Sequence, residues 1–489
     1  LKLCCPKKAV YGLSESSFWK GMVMYMKKTM PRVLFAAPKS GSGKTMLVCG
    51  MIEVWKRKGY RVASFKCGPD YIDPMFHRKV LGISSGNLDT FFTNDDTTRY
   101  ILEDKAKHAD ITVLEGVMGY YDGLGGVSVN ASTYEVARIT KTPVILIVDG
   151  KGASVTLAAV VKGIQDFKSD SHIAGVILNR VSAGYYQRIA GVIEDSCHIP
   201  VVGYLPEIKD LKVPSRHLGL VSPDEITEFD TWIRQVADVM EETVDMEQIL
   251  LIAGQAKEVQ GKLPEDVRKR ITESKEKKPV RIGIAMDEAF SFYYSENLAL
   301  LKEMGVELIP FSPLHDKVLP EGIQGMILGG GYPENYAKQL AVNKTMLQSV
   351  RNAAEQLYIL AECGGFLYLQ QSLEDLEGNT YCMTGVLDGQ GYHKKKLSRF
   401  GYMQCEMKHG GFLSESTMVV KGHEFHYYDC TDNGDAGVAT KPANPDVSYE
   451  CMVYNEHIFA GFPHFYYYSN VEMIAGFVEA CREVKGYEN

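Results

Sequence analysis

Residues 32–59 read RVLFAAPKSGSGKTMLVCGMIEVWKRKG, and this stretch decides the fold of the first half of the chain. A continuous apolar run precedes a Gly-rich loop, and the loop precedes apolar residues at helical spacing that end in cations and Gly59. Such an apolar run is typical of a buried parallel strand, and cations followed by glycine are typical of the end of a helix. The segment therefore predicts a strand, a loop suited to phosphate and a helix.

The same alternation of apolar and amphipathic segments continues along the chain. RVASFK, DITVLE, PVILIVD and IAGVIL follow in the first half, and RIGIAM, VELIPF, GMILGGG and LYILAECGG follow Pro279. Alternating strands and helices of this kind build parallel sheets that are covered by helices on both faces. We therefore predict the α/β fold class, with two doubly wound domains of which the first is P-loop NTPase-like.

Composition narrows the class of protein. The 489 residues are 45% hydrophobic and 23% charged, and 53 basic against 61 acidic residues give a net charge of −8. At about 150 residues per domain, this length predicts two or three domains. The lack of a basic tract and of an apolar window of about 18 residues argues against nucleic acid and membrane partners. The 11 cysteines, without paired spacing, favour reduced thiols and a cytoplasmic location.

The chain divides into four expected segments. They are an N-terminal extension at 1–29, a phosphate-loop domain at 30–225, a helical linker at 226–279 and a second α/β domain at 280–489. The first segment has no uninterrupted apolar stretch followed by small residues, so it does not have the pattern of a signal peptide. The linker lacks strand signals and ends in KLPEDVRKRITESKEKKP, which we interpret as solvated helix and connecting chain.

The loop APKSGSGKT provides the first candidate site. Its glycines let backbone N–H groups turn toward phosphate oxygens, while Lys44 would neutralise the terminal phosphates and Thr45 would ligate Mg²⁺. A Mg²⁺ site also needs a carboxylate at the end of a neighbouring strand, and Glu115 follows the run DITVL. Pro38 replaces the first glycine of the common phosphate-loop pattern. The predicted nucleotide-binding residues of the loop are Lys39, Gly41, Gly43, Lys44 and Thr45.

A polar block, FKCGPDYIDP, follows the second predicted strand, where doubly wound sheets hold ligands. The block combines a cation with two carboxylates and a rigid turn. We predict that Lys66, Asp70, Tyr71 and Asp73 bind substrate. The alternative, in which Asp70 only builds a turn and Lys66 is solvated, stays open on composition alone.

A second candidate site lies in the second half, where LYILAECGGFLYL places Cys363 between a strand and a helix. This arrangement is typical of a nucleophile elbow. The helix N-terminus favours a thiolate, and the backbone N–H groups of Gly364 and of Gly330 or Gly331 are candidates for an oxyanion hole. His464, in GFPHFYYYSN, is the predicted base. Without the elbow, we would interpret His464 as a packed histidine.

Ten motifs in sequence order carry a resemblance to a known family. They are APKSGSGKT, FKCGPDYIDPMFH, NLD, EGVMGYYDG, GVILNRV, YLP with PSRHLGL, DEAFSFYYSENL, GGGYPE, AECGGFLYL and GHEFHY. Together they resemble the cobyrinate a,c-diamide synthase family, which consists of ATP-dependent glutamine amidotransferases. The resemblance implies a first domain similar to dethiobiotin synthetase, a second domain that is a triad-type glutaminase, and ATP and Mg²⁺ as cofactors.

The resemblance also implies roles for single residues. The implied ligands of Mg²⁺ are Thr45, Asp70 and Glu115. Asn179, in GVILNRV, would approach the adenine, and Cys363 with His464 would form the glutaminase pair. Triad glutaminases commonly carry a Glu two residues after the histidine, whereas this chain has Tyr466 there. The third member of the triad therefore stays open.

The expected partners are glutamine and an anionic tetrapyrrole, with a homodimer as an open alternative. A corrinoid carries several carboxylates, so its pocket should be locally basic, and Lys66, Arg180 and Arg216 are candidates. Alternative functions are the a,c-diamidation of nickel sirohydrochlorin and the amidations of cobyric acid synthase. A P-loop regulatory or partitioning ATPase is an alternative of another class, but such a switch has no use for Cys363.

Overall fold

The computed structural model describes residues 30–208, 223–408, 411–414 and 417–488. The expected extension at 1–29 and the candidate Arg216 lie outside the described residues. In this described part of the chain, no helix combines the length and the apolar character that a membrane crossing requires.

A sheet of seven strands forms the centre of the first domain. Its strands are β1 (Arg32–Ala36), β2 (Val62–Cys67), β3 (Ser84–Leu88), β4 (Ile111–Glu115), β5 (Val144–Asp149), β6 (Ile173–Asn179) and β7 (Val201–Leu205). Their spatial order is β3-β2-β4-β1-β5-β6-β7, and every pairing is parallel. Because β1 lies between β4 and β5, the loop after β1 meets the carboxyl ends of both neighbours.

Helices cover both faces of this sheet. They are α1 (Lys44–Arg57), α2 (Ile72–Lys79), α3 (Asp95–Ala106), α4 (Thr133–Ile139), α5 (Thr156–Phe167) and α6 (Ala183–Cys197). Successive side chains of a strand point to opposite faces, so Leu34 enters one apolar core while Val33 and Phe35 enter the other. The helix predicted after the Gly-rich loop is confirmed, with Leu47, Met51 and the other apolar residues of its sequence pattern buried.

The segment at 226–279 is helical, but the interpretation as solvated helix is wrong for most of it. The helices are α7 (Pro223–Thr243), α8 (Met246–Gly254) and α9 (Glu265–Lys275). Trp232, Val236 and Met240 of α7 are buried against α1, and a Cβ atom at Gly50 would lie 2.6 Å from Val236. The apolar spacing of α7 thus adds it to the first domain's core, whereas α9 is mostly exposed.

The second domain has its own mostly parallel sheet and an extra layer of strands. The strands are β8 (Val280–Ala285), β9 (Phe290–Phe292), β10 (Val306–Phe311), β11 (Gly325–Leu328), β12 (Gly330–Gly331), β13 (Tyr358–Glu362), β14 (Ser372–Glu374), β15 (Thr380–Cys382), β16 (Gln390–His393), β17 (Arg399–Met407), β18 (Met418–His426), β19 (Tyr428–Cys430), β20 (Gly437–Lys441), β21 (Asn444–Cys451), β22 (Val453–Tyr454), β23 (Ile458–Gly461) and β24 (His464–Phe465). The helices are α10 (Ser295–Glu303), α11 (Ala337–Val342), α12 (Lys344–Ala353), α13 (Gly364–Leu369) and α14 (Val471–Glu483).

The main sheet of this domain has the order β10-β8-β11-β13-β23-β22, in which only β22 is antiparallel. Both domains therefore have the predicted α/β architecture. The domain also contains a small sheet of β9 and β12, and the sequence patterns did not indicate its two larger additional sheets, in the orders β15-β14-β16-β19 and β21-β20-β17-β18-β24. The second of these sheets pairs β18 with β24, in the register His423 with His464, and so fixes the strand that carries the predicted base.

Aromatic and polar contacts join the two domains. The ring of Phe92 in the first domain stacks on Tyr466 in the second, with centroids 5.0 Å apart. Tyr402 donates a hydrogen bond of 2.8 Å to the buried Asp89 carboxylate. Glu296, at the start of α10, pairs with Lys105 and accepts from the backbone N–H of Asn87 at 3.2 Å. The carboxyl ends of β2 and β3 thus face the second domain directly.

Candidate active site

The phosphate loop connects β1 to α1, and a side chain at the end of β6 forms a hydrogen bond with it. Asn179 donates from Nδ2 to the carbonyl oxygen of Ser42 at 2.9 Å, and Ser42 Oγ donates to the carbonyl oxygen of Lys39 at 2.9 Å. Gly43 has φ of +89°, and a Cβ atom there would collide with Asn179. Only glycine fits this position, so the loop keeps a cradle of backbone N–H groups at the start of α1.

Lys44 is buried beside this cradle. Its ammonium donates to the carbonyl oxygen of Met118 at 2.7 Å. Burial lowers the pKa of Lys44 to about 8, and the neighbouring Lys66 lowers it further while Glu115 opposes the shift. An anionic phosphate at the cradle would favour the charged lysine, because opposite charges stabilise each other strongly at a buried site.

A buried ionic cluster lies at the carboxyl ends of β2 and β4. Glu115 accepts a hydrogen bond of 2.6 Å from Thr45 Oγ1 and another of 2.9 Å from the ammonium of Lys66. The same ammonium lies 2.5 Å from Asp73. Burial raises the pKa of Glu115 to about 7, although Lys66 opposes the shift. The structure therefore brings together four residues that lie apart in the sequence, as the parallel sheet predicts.

The residues around Thr45 fit a magnesium ion only in part. Thr45 and Glu115 present adjacent oxygens, and Glu115 Oε2 is buried without a hydrogen-bond partner. These features suit Mg²⁺, which takes few protein ligands and completes its shell with water and phosphate. Asp70, by contrast, directs Oδ1 to the backbone N–H of Ile72 at 2.8 Å and caps α2. Among the described residues, no group of three or more His, Cys, Asp or Glu could hold a metal ion.

The thiol site lies at the turn between β13 and α13. Cys363 has φ of +48°, which is uncommon for a residue with a Cβ atom and is typical of strained functional turns. Its N–H donates to the carbonyl oxygen of Gly461 at 2.7 Å, which holds the turn against β23. A Cβ atom at Gly330 would collide with the ring of His464, and one at Gly364 would lie 3.0 Å from the Gly331 nitrogen. The three predicted oxyanion glycines therefore line the thiol turn closely.

His464 lies beside Cys363 and is almost completely buried. Burial alone would lower the pKa of His464, but interaction with the Cys363 and Glu362 side chains raises it to about 10. Glu362 Oε2 lies 3.6 Å from His464 Nδ1, which is an ion-pair distance, and Glu362 Oε1 accepts from the N–H of Phe465 at 3.3 Å. A charged imidazole that faces a thiol and a carboxylate can protonate a leaving amine.

Tyr71 lies between the two sites. Its ring centroid is 5.0 Å from that of His464 and 4.3 Å from that of Tyr294, and its ring stacks on Phe292. Two residues further along the chain, Asp73 joins the ionic cluster of the first domain. A predicted substrate-binding residue of the first domain therefore forms part of the wall of the thiol site in the second.

Comparison with known proteins agrees with this arrangement. Residues 33–221 match the family described as the CobQ/CobB/MinD/ParA nucleotide binding domain, and residues 281–471 match the CobB/CobQ-like glutamine amidotransferase domain. Cobyrinate a,c-diamide synthase of Priestia megaterium is 38% identical over 93% of this chain and 98% of its own. The enzyme of that name from Listeria monocytogenes serovar 1/2a is 40% identical over 91% of this chain and 98% of its own.

The chain belongs to the cobyrinate a,c-diamide synthase family. A relative from Salmonella typhimurium is also named cobyrinate a,c-diamide synthase. It is 36% identical over 92% of this chain and 98% of its own. As a member of this family, the chain combines a nucleotide-binding domain with a glutamine amidotransferase domain.

Three residues that were expected to contact the tetrapyrrole or the adenine already have partners within the protein. Lys66 is enclosed between Asp73 and Glu115, so its ammonium does not face an open substrate pocket. The Nε atom of Arg180 lies 2.9 Å from Asp149, which neutralises it. Asn179 uses both ends of its amide within the protein, on the phosphate loop and on the N–H of Arg180. These three roles stay predictions.

Two residues of this family member escaped the sequence analysis. Glu362 directly precedes Cys363 and faces His464, whereas the family pattern places a Glu two residues after the histidine, where Tyr466 instead stacks between the domains. The other residue is His77, which is fully buried, with Nε2 3.6 Å from Glu115 and Nδ1 3.0 Å from Ser64 Oγ. The only signal for Glu362 was its carboxylate at the end of a buried strand, where an unpartnered charge would be costly.

Proposed function

We propose that this chain amidates the a and c side-chain carboxylates of cobyrinate, with ATP as the energy source and glutamine as the nitrogen donor. The observation that carries the proposal is the position of Tyr71, which links an ionic phosphate site to a thiol site across the domain contact. A phosphate loop alone would suit many ATPases, and a thiol elbow alone would suit many hydrolases. Their juxtaposition suits a reaction that makes ammonia at one site and consumes it at the other.

The first step is activation of the carboxylate. Hydroxide is a poor leaving group, so the carboxylate oxygen attacks the γ-phosphorus of ATP and forms an acyl phosphate with release of ADP. The cradle before α1 and the ammonium of Lys44 would bind the phosphates and stabilise the charge that spreads over the transferred group. Bound Mg²⁺, held by Thr45 and Glu115, would supply further neutralisation of this charge.

The second step releases ammonia from glutamine. The Cys363 thiolate attacks the carboxamide carbon, and the N–H of Gly364 is a donor to the resulting oxyanion. His464 gives its proton to the departing ammonia, which leaves a thioester, and water then hydrolyses the thioester to glutamate. Glu362 would hold the imidazole in its charged state.

The third step joins the two chemistries. Ammonia attacks the acyl carbon of the acyl phosphate, and inorganic phosphate leaves to give the amide. Tyr71, Phe292 and Tyr294 form an aromatic contact next to His464, and such a wall would keep water from the ammonia on its path.

The compartment that we propose is the cytoplasm. All nine cysteines among the described residues are free thiols, and Cys405 and Cys451 remain unbonded although their sulfur atoms are 3.7 Å apart. Free thiols persist in reducing compartments. A homodimer stays a prediction.

The test is a mass measurement on the product. The protein is incubated with ATP, Mg²⁺ and glutamine, in parallel with cobyrinate and with nickel sirohydrochlorin, and the added amides are counted by mass. We expect two amides on cobyrinate. Two amides on nickel sirohydrochlorin alone would assign the chain to the other macrocycle, and no amide on either would overturn the proposal.

A further inference from the structure

An aromatic patch is exposed on β17 and β18 of the second domain. Phe400 and Phe425 are cross-strand partners, so they lie on one face of the sheet, with ring centroids 5.6 Å apart. Tyr427 extends the patch, with its ring 6.0 Å from Phe425. The three side chains are 60%, 50% and 46% exposed, respectively. We call these three residues the aromatic platform, and adjacent exposed aromatic side chains of this kind commonly mark a binding surface.

One end of the platform continues into the contact between the domains. The next cross-strand pair on the same face is Tyr402 with His423. Tyr402 binds Asp89 of the first domain, and the ring of His423 lies 6.0 Å from that of Phe400. His423 is in register with His464 of the thiol site. The platform therefore begins where the domain contact ends, two residues along each strand from it.

The hairpin between β20 and β21 forms the adjacent border of the platform and also meets the first domain. Lys441 donates to the carbonyl oxygen of Gly401 at 3.5 Å, which ties the hairpin to the strand of Phe400. A Cβ atom at Gly125 would lie 2.9 Å from Ala443 at the tip of the hairpin. Gly125 belongs to the loop that follows Met118, whose carbonyl oxygen accepts from Lys44. The hairpin beside the platform thus contacts the loop whose first residues accept a hydrogen bond from Lys44.

Cations lie beside the platform. The run Lys394, Lys395 and Lys396 is separated from β17 by only two residues, and all three lysines are exposed. Lys394 lies 3.0 Å from Asp429, whereas the charges of Lys395 and Lys396 extend the basic edge. Exposed aromatic rings next to a run of positive charge match a broad apolar ligand that carries negative groups at its edge.

We propose that the aromatic platform binds one face of the tetrapyrrole macrocycle and that Lys395 and Lys396 bind its peripheral carboxylates. The inference rests on the proposed function, because that function supplies a conjugated ring system with several carboxylates. In this position, the macrocycle lies next to the contact between Tyr402 and Asp89 that joins the domains. The ring face gains contact with the two phenylalanines, and the carboxylates that are not being amidated meet the lysines.

The test separates macrocycle binding from chemistry. In Phe400→Ala/Phe425→Ala, we expect KM for cobyrinate to rise about tenfold or more, with KM for ATP and for glutamine changed by less than about twofold. Phe400→Leu/Phe425→Leu keeps the apolar character but not the flat rings, and it should fall between the wild type and the alanine variant. Phe167→Ala removes another exposed phenylalanine, 62% exposed on α5 of the first domain, and serves as the matched control without effect.

A second variant tests the role of the two lysines. In Lys395→Gln/Lys396→Gln, KM for cobyrinate should rise several-fold at low salt, and its dependence on ionic strength should become weaker. An unchanged KM for cobyrinate in the alanine and glutamine variants would overturn the inference. Equilibrium dialysis of cobyrinate and of nickel sirohydrochlorin against folded variants gives the same answer without turnover. If the wild type amidates neither macrocycle, the proposed function fails, while loss of macrocycle binding in the variants would still support the platform.

Discussion

The two candidate sites use the same local architecture with opposite choices at the turn. In each, a buried parallel strand ends in a sharp turn and a helix begins, and a residue of the turn has positive φ. In the phosphate loop that residue is Gly43, where a side chain would collide with Asn179. In the thiol site it is Cys363, whose side chain reacts in the function that we propose. The comparison teaches that glycine is used where the turn leaves no room for a side chain, and that a strained side-chain residue stands where the proposed chemistry needs the side chain itself.

The side chains around the two turns also differ in their number of charges. Lys44 and the ionic cluster of Lys66, Asp73 and Glu115 balance several charges around the phosphate loop. The thiol turn has one imidazole and one carboxylate, enclosed by aromatic rings. The first site suits a ligand of high charge, and the second suits a small neutral amide.

The sharpest way to break this comparison is Cys363→Ser. We expect glutamine-dependent amidation to fall by about a thousandfold or more, since a hydroxyl is far harder to ionise than a thiol. The rate with ammonium salt should stay within about twofold of the wild type, because the phosphate site is separate. Both rates are measured by amide formation.

Two further variants serve as comparisons for Cys363→Ser. Lys44→Ala should abolish amidation with either nitrogen source, which would distinguish the two sites directly. Cys382→Ser, which changes an exposed thiol of the same domain, should behave as the wild type. Normal glutamine-dependent turnover in Cys363→Ser would remove the cysteine from the mechanism.

A smaller effect is expected from Glu362→Gln, which keeps the shape of the side chain and removes its charge. The loss lowers the pKa of His464 below about 10, because Glu362 helps to raise it. The alkaline limb of the glutamine-dependent pH profile reports loss of the imidazolium proton, so it should move to lower pH, and kcat should fall about ten- to a hundredfold. Glu377→Gln, at an exposed position, is the control. If the alkaline limb does not move in Glu362→Gln, Glu362 does not set the pKa of His464.

Tyr71→Ala tests whether the two sites act together. Removal of the ring opens the contact beside His464, so ammonia should escape to water. We expect the ratio of glutamate released to amide formed to rise several-fold, while Tyr71→Phe, which keeps the ring, should hold the ratio near that of the wild type. An unchanged ratio in Tyr71→Ala would show that the contact does not guide ammonia.

The smallest expected effect concerns Asp89, which accepts from Tyr402 across the domain contact. Burial raises the pKa of Asp89 from 3.8 to about 6. The folded protein therefore binds the proton more tightly than the unfolded chain, so stability falls as pH rises from about 4 through 6 and then levels. The Asp89→Asn variant does not titrate at this position and therefore lacks this loss of stability. Its free energy of unfolding should rise relative to that of the wild type by about 2 kcal/mol or less between pH 4.5 and 7.5.

Thermal unfolding midpoints of Asp89→Asn and the wild type across this pH range provide the measurement. Asp166→Asn changes an exposed carboxylate and should show no such trend. A difference between Asp89→Asn and the wild type that is independent of pH would contradict the assigned titration.

Much of the fold could be predicted because its signals are local. The apolar runs that became β1, β4 and β5 are continuous, and their pairing partners are equally apolar. The strand β3 was missed because its sequence, SSGNL, has little apolar content and is extended only through pairing with β2. The helix α7 was interpreted as solvated because its apolar stripe has no meaning until α1 is placed beside it.

The sequence by itself determined the phosphate loop and the thiol elbow, because residue type and spacing restrict these turns to few conformations. Only the tertiary structure decided that Glu362 faces His464, that Lys66 is enclosed by carboxylates, and that Tyr71 reaches the other domain. These relations depend on the register of β18 with β24 and on the packing of one domain against the other. Such contacts join residues far apart in the chain, so no local pattern carries them.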